Sequence, residues 1–116
     1  MAGKVLTPTQ IDQGFIVTLS DNFGVNSAQF KEDFLFYANS LNPKFVIIEF
    51  GELNFIDHDE FKLINSIRKS ITVLGGEVFF VGIKPQIIHF LVKNQIDISG
   101  IKAFANAKEA MNFMSV

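Results

Sequence analysis

The sequence predicts an α/β fold: a mostly parallel central sheet of four to five strands, an antiparallel N-terminal edge strand and four helices. Three observations carry this expectation. Short runs rich in Val, Ile and Phe alternate with longer segments of helical periodicity. The runs at 45–50 and 77–82 are nearly continuously apolar, the pattern of strands covered on both faces. Each helical segment opens with residues that suit exposed backbone N–H groups.

The first strand candidate, KVLTPTQI at 4–11, contains Pro8. Proline cannot donate to a ladder, so this strand belongs at a sheet edge. Asp12-Gln13-Gly14 then turns the chain into the strand FIVTL at 15–19. Asn26-Ser27-Ala28-Gln29 opens the first helix as a capping box, and Val25 and Phe30 are spaced as a hydrophobic staple. Phe30, Phe34, Tyr37, Ala38 and Leu41 share one face of that helix.

The strand FVIIEF at 45–50 follows. Asp57-His58-Asp59-Glu60 repeats the capping grammar, with Ile56 and Phe61 as its staple. The second helix carries a stripe of Phe61, Ile64, Ile67, Ile71 and Leu74, and Gly75-Gly76 stops it. After the strand EVFFVG at 77–82, Pro85 enters the first turn of a third helix, where its missing N–H costs nothing. Ile87, Ile88, Leu91 and Val92 form its stripe. A short strand at IKAF, 101–104, precedes the fourth helix, which opens at Asn106-Ala107-Lys108-Glu109 and carries Ala107, Ala110, Met111 and Met114. These stripes are expected in the core, with the methionines filling gaps. Strands joined through helices run parallel, by right-handed crossovers.

At 116 residues the chain is expected to be a single domain, 1–116. A chain of that length buries roughly two-thirds of its unfolded surface. Hydrophobic residues make up 48% and include 14 Phe, enough for a core without metal or disulfide. The absence of Cys removes thiolate chemistry and thiolate zinc sites, and it fits a reducing compartment. The formal net charge is −2 without a basic patch, so nucleic acid is not an expected partner. No apolar run approaches the ~20 residues that span a bilayer, and no signal peptide is legible. A cytoplasmic protein is expected.

Candidate chemistry is sparse. Neither GxxxxGK[ST] nor GxGxxG occurs, so no phosphate loop and no cofactor is expected. The histidines are His58 and His89, without HxxxH or HExxH spacing. Asp57, His58 and Asp59 are adjacent at a helix start, where neighbours point in different directions, so no metal is expected. His89 reads as a residue flanking the apolar face of the third helix. No GxSxG elbow supplies a nucleophile. The acids at 57, 59 and 60 suit the positive end of a helix, whereas a protonated His58 does not.

The order of elements, with FVIIEF, NFIDHDEF, VGIKP and IDISGI in sequence, resembles the STAS domain of bacterial anti-sigma factor antagonists. Within that family VGIKPQIIHFLVKNQIDISGI is most similar to stressosome scaffold proteins of the RsbR and RsbS type. The resemblance implies a non-enzymatic module that works by protein contact in partner switching, with a kinase phosphorylating a Ser or Thr at the start of the second helix. A phosphate there adds nearly two negative charges to a docking surface.

By that resemblance Asp57, His58, Asp59 and Glu60 form the switch loop and partner-binding site. Val81, Gly82, Ile83, Lys84 and Pro85 form the second switch-equivalent position. The implied partners are other STAS-domain proteins, an RsbT-like switch kinase or an anti-sigma factor, in a homo- or hetero-oligomer. The sequence departs from the pattern where the hydroxyl belongs: the residues are His58 and Val81. Gln95 replaces the usual Gly after the third helix, so that corner is expected to turn differently, through Asn94.

Three consequences stay open. The protein is a fixed-state scaffold whose Asp59 and Glu60 supply permanent charge, or it uses Ser66, Thr72 or Ser99, or its surface serves a different partner. A phosphohistidine or pH-sensing role for His58 is a fourth reading. Beyond the signalling scaffold, the alternatives are a subunit of a transporter or lipid-transport complex, a small-molecule binding module, and an enzyme built on Asp57, His58 and Asp59.

Overall fold

A computed structural model describes Leu6, residues 8–21 and residues 23–114. The strands β1 (Thr9–Ile11), β2 (Gly14–Thr18), β3 (Phe45–Glu49), β4 (Glu77–Val81) and β5 (Lys102–Phe104) alternate with the helices α1 (Ser27–Leu41), α2 (His58–Val73), α3 (Pro85–Lys93) and α4 (Ala107–Met114). They form one five-stranded sheet in the order β1-β2-β3-β4-β5. β1 pairs antiparallel with β2, and every other pair is parallel. The expected α/β architecture is therefore present. Residues 4, 5 and 7 of the expected first strand lie outside the described residues.

Each parallel crossover steps one strand along the sheet. Crossovers of one hand then place α1, α2 and α3 on the same face. The buried clusters show this division. Phe15, Val17, Val46, Ile48, Val78 and Phe80 face a core shared with Phe30, Phe34, Phe61, Ile64, Ile87 and Leu91. The alternate residues Phe45, Ile47, Phe79 and Val81 face a smaller core shared with Ala110, Met111 and Met114 of α4. Strands β3 and β4 are thus covered on both sides, as their unbroken apolar runs require.

Several local expectations change. Val25 is 84% exposed and cannot staple α1. The turn over residues 23–26 directs it outward, and Phe23 packs on Phe30 instead, with ring centroids 5.3 Å apart. The α1 cap is half a capping box: Asn26 accepts from the Gln29 N–H at 3.2 Å, but the Gln29 side chain donates to Asp33. Leu74 is 62% exposed, because it is the C-cap of α2 and helical periodicity no longer sets its direction.

Ile88 and Val92 also face outward, leaving Ile87 and Leu91 as the buried pair of the short helix α3. The corner after α3 turns through Gln95 itself, at φ 55°, rather than through Asn94. The N–H groups of Gln95 and Ile96 close it onto the carbonyls of Val92 and Leu91, at 3.1 and 3.0 Å. Gly75 and Gly76 close α2 the same way, on Thr72 and Ile71.

Arg68 is the buried charged residue among those described. Its Nε donates to Asn65 Oδ1 at 2.7 Å and its Nη1 to the Gly100 carbonyl at 3.2 Å, tying α2 to the loop before β5. In that loop the Ser99 hydroxyl, then the Ser99 N–H, donate to Asp97 and hold its carboxyl below the usual carboxylate range.

The packing sets the expected energetics. Phe80→Ala removes a fully buried ring that meets Phe50 and Phe61, and should cost about 3–5 kcal/mol in denaturant unfolding. Leu74→Ala should stay within about 0.5 kcal/mol. Asp97 has a lowered folded-state pKa, so its contribution is present above the ordinary carboxylate range and is lost as pH falls through the lowered value. Ser99→Ala should return the Asp97 titration upward, as read by carboxyl NMR.

Candidate functional site

The loops that leave the C-terminal ends of parallel strands gather at one edge of the sheet, where α/β folds place their ligands. The β3–α2 loop begins on a backbone bond from the Phe50 N–H to the Val81 carbonyl at 2.9 Å. Leu53 and Ile56 are buried and anchor it, while Phe55 between them is 61% exposed. Ile56 and Phe61 lie in the same core cluster, as the expected staple requires.

The start of α2 is a complete capping box. The Glu60 N–H donates to Asp57 Oδ1 at 2.7 Å, and the Asp57 N–H donates to Glu60 Oε1 at 3.0 Å. The carboxylates of Asp57 and Glu60 are therefore committed to the helix start. Gly24 of the β2–α1 loop sits against the same Glu60 carboxylate: a Cβ there would come within 2.5 Å of Oε2. His58 and Asp59 are the exposed pair on the first turn, with no side-chain hydrogen bond among the described residues.

Val81 is fully buried on the α4 face of the sheet. It pairs with Glu49 of β3 and Phe104 of β5. The second segment therefore reaches the surface through Ile83, Lys84 and Pro85 and not through Val81. Gly82 takes φ +70° and donates to the Phe104 carbonyl at 3.1 Å. A Cβ on it would make ordinary contact with the Gly51 nitrogen at 3.4 Å, so a larger residue would be strained by the backbone conformation and not by crowding.

Two contacts join this segment to the β3–α2 loop. Lys84 Nζ donates to Asn54 Oδ1 at 2.9 Å, and the rings of Phe55 and Phe90 meet edge to face at 5.7 Å. The structure thus brings the two expected segments onto one surface. It adds Gly24, Asn54, Phe55 and Phe90, which the sequence reading did not single out. No local sequence pattern marks the pairing of Asn54 with Lys84 across 30 positions.

Among the described residues no group of three or more His, Cys, Asp or Glu is placed to hold a metal. The alternative hydroxyls are each engaged locally: Ser66 with the Leu63 carbonyl at 2.8 Å, Thr72 with the Arg68 carbonyl at 3.0 Å, and Ser99 with Asp97 at 2.6 Å. His89 is exposed on α3. What remains is a solvent-facing surface that carries the Phe55 ring, the His58 imidazole and the carboxylates of Glu52 and Asp59.

The cap should carry stability and His58 should not. Asp57→Ala is expected to lower unfolding stability by about 1 kcal/mol, and Asp57→Asn by less. His58→Ala should stay within about 0.5 kcal/mol. A loss several times larger for His58→Ala in thermal unfolding would contradict this placement.

Comparison with solved structures finds the same fold. The chain is similar to RsbS of Moorella thermoacetica, solved as a serine-to-glutamate variant, with TM-score 0.83 and 20% identity over 96% of this chain and 95% of that chain. It is similar to a chain of the stressosome, described as a signal integration and transduction hub, with TM-score 0.84 and 20% identity over 94% and 96%. The anti-sigma factor antagonist SpoIIAA in its unphosphorylated form gives TM-score 0.69 and 13% identity over 96% and 98%. No curated protein matches the chain in sequence. The sequence of residues 8–110 matches the STAS domain, and the chain belongs to that family.

Proposed function

We propose that the chain is a non-enzymatic regulatory or scaffold protein of a bacterial partner-switching or stressosome-type pathway, acting in the cytoplasm by protein contact. Family membership and the likeness to stressosome and antagonist structures support this reading. The observation that carries it is the start of α2. The loop is held by a reciprocal cap, and the exposed residues that follow the cap, His58 and Asp59, carry no hydroxyl.

In this reading the docking surface is fixed in one charge state. A phosphoryl group would add nearly two charges and break or redirect an interface. Asp59 instead supplies one permanent charge, and Glu60 is neutralised in part by the Asp57 N–H it accepts and by the helix N-terminus. The second segment contributes through Ile83, Lys84 and Pro85, while Val81 acts from inside the sheet. The partners are other STAS-domain proteins, an RsbT-like switch kinase or an anti-sigma factor, in a homo- or hetero-oligomer.

The test is native mass measurement and titration with purified STAS-domain partners and a switch kinase. The protein should form a defined complex with at least one of them. Combining Phe55→Ser with Asp59→Lys should weaken it at least tenfold with the fold intact by circular dichroism. A strictly monomeric protein that engages none of these partners would overturn the reading.

A further inference from the structure

The loop between α3 and β5 covers a space of about 150 Å³ whose lining shares Ile83 alone with the docking surface. Its floor is Phe61, Phe80 and Leu91, all buried, and every lining side chain is apolar. It opens between Ile88 and Ile98, which are 47% and 45% exposed. The covering loop is held in place by three contacts: Arg68 on the Gly100 carbonyl at 3.2 Å, the Ile101 N–H on the Ile98 carbonyl at 3.3 Å, and the Asp97–Ser99 turn.

We propose that this cavity is a binding site for one small, uncharged, apolar molecule about the size of benzene. The lining selects the chemistry. A charged or strongly polar ligand would lose its hydration and find no partner. The lining offers water no hydrogen-bond partner, and a space of about 150 Å³ has room for one molecule the size of benzene. A peptide main chain would bring amides that the apolar walls cannot satisfy. The space also lies against Phe61, four positions beyond the Asp57 cap of α2. The site rests on the cavity alone and stands whether or not the partner-switching reading holds.

The experiment is methyl NMR of the full chain titrated with benzene and, separately, with xenon. The methyl groups of Ile88 and Ile98 should shift and saturate, while Ile47 on the opposite sheet face stays unmoved. Ala103→Leu adds bulk at an exposed lining position and should weaken benzene binding at least tenfold. If that variant fails to fold, Ile88→Phe at the mouth replaces it with the same expectation. Absence of saturation, equal movement of Ile47, or an unchanged isotherm in a folded variant would overturn the proposal. So would shifts that follow protein concentration instead of benzene, because the occupant would then be a second copy of the chain.

Discussion

The burial of β3 and β4 on both faces is the constraint on which the rest of the structure depends. Ile47, Ile48, Phe79, Phe80 and Val81 are fully buried and leave no polar position in the middle of the sheet. A polar group there would have to find a partner between two apolar layers. Charge is therefore driven to the strand ends, where the connecting loops meet water. The residues proposed for recognition, Phe55, His58, Asp59 and Lys84, all lie on loops or at helix starts beyond the C-terminal ends of these strands.

That edge is rigid for local reasons. Asp57 and Glu60 spend their carboxylates on each other's backbone, Gly24 closes behind Glu60, and Gly82 lets the β4–α3 corner approach Gly51. Lys84 and Phe90 then fasten the two loops together. A surface held this way would present one geometry to the proposed partner and lose little conformational entropy on docking.

Much of this was legible in the sequence. The unbroken runs at 45–50 and 77–82 identify the central strands because burial on both faces removes the alternation that an exposed face would impose. Asp57 and Glu60 are legible because capping depends on neighbours only three positions apart. Val25, Leu74, Ile88 and Val92 were misplaced, because the width of a buried stripe and the direction of a terminal residue depend on what packs against them. Gln95 in a left-handed turn was unexpected, since the residue type does not favour it and only the closure onto Leu91 and Val92 requires it. The contacts of Lys84 with Asn54 and of Phe55 with Phe90 arise from topology and leave no local mark. Family resemblance assigned the second switch-equivalent position to Val81 and gave no sign of its burial.

The central claim is that this STAS domain carries a switch loop without a phosphorylatable residue and holds one binding state. The most direct measurement is the intact mass and partner affinity of the protein before and after incubation with the cognate switch kinase and ATP. The account predicts an unchanged mass and an unchanged dissociation constant. A mass increase of one phosphoryl group accompanied by a changed affinity would contradict it.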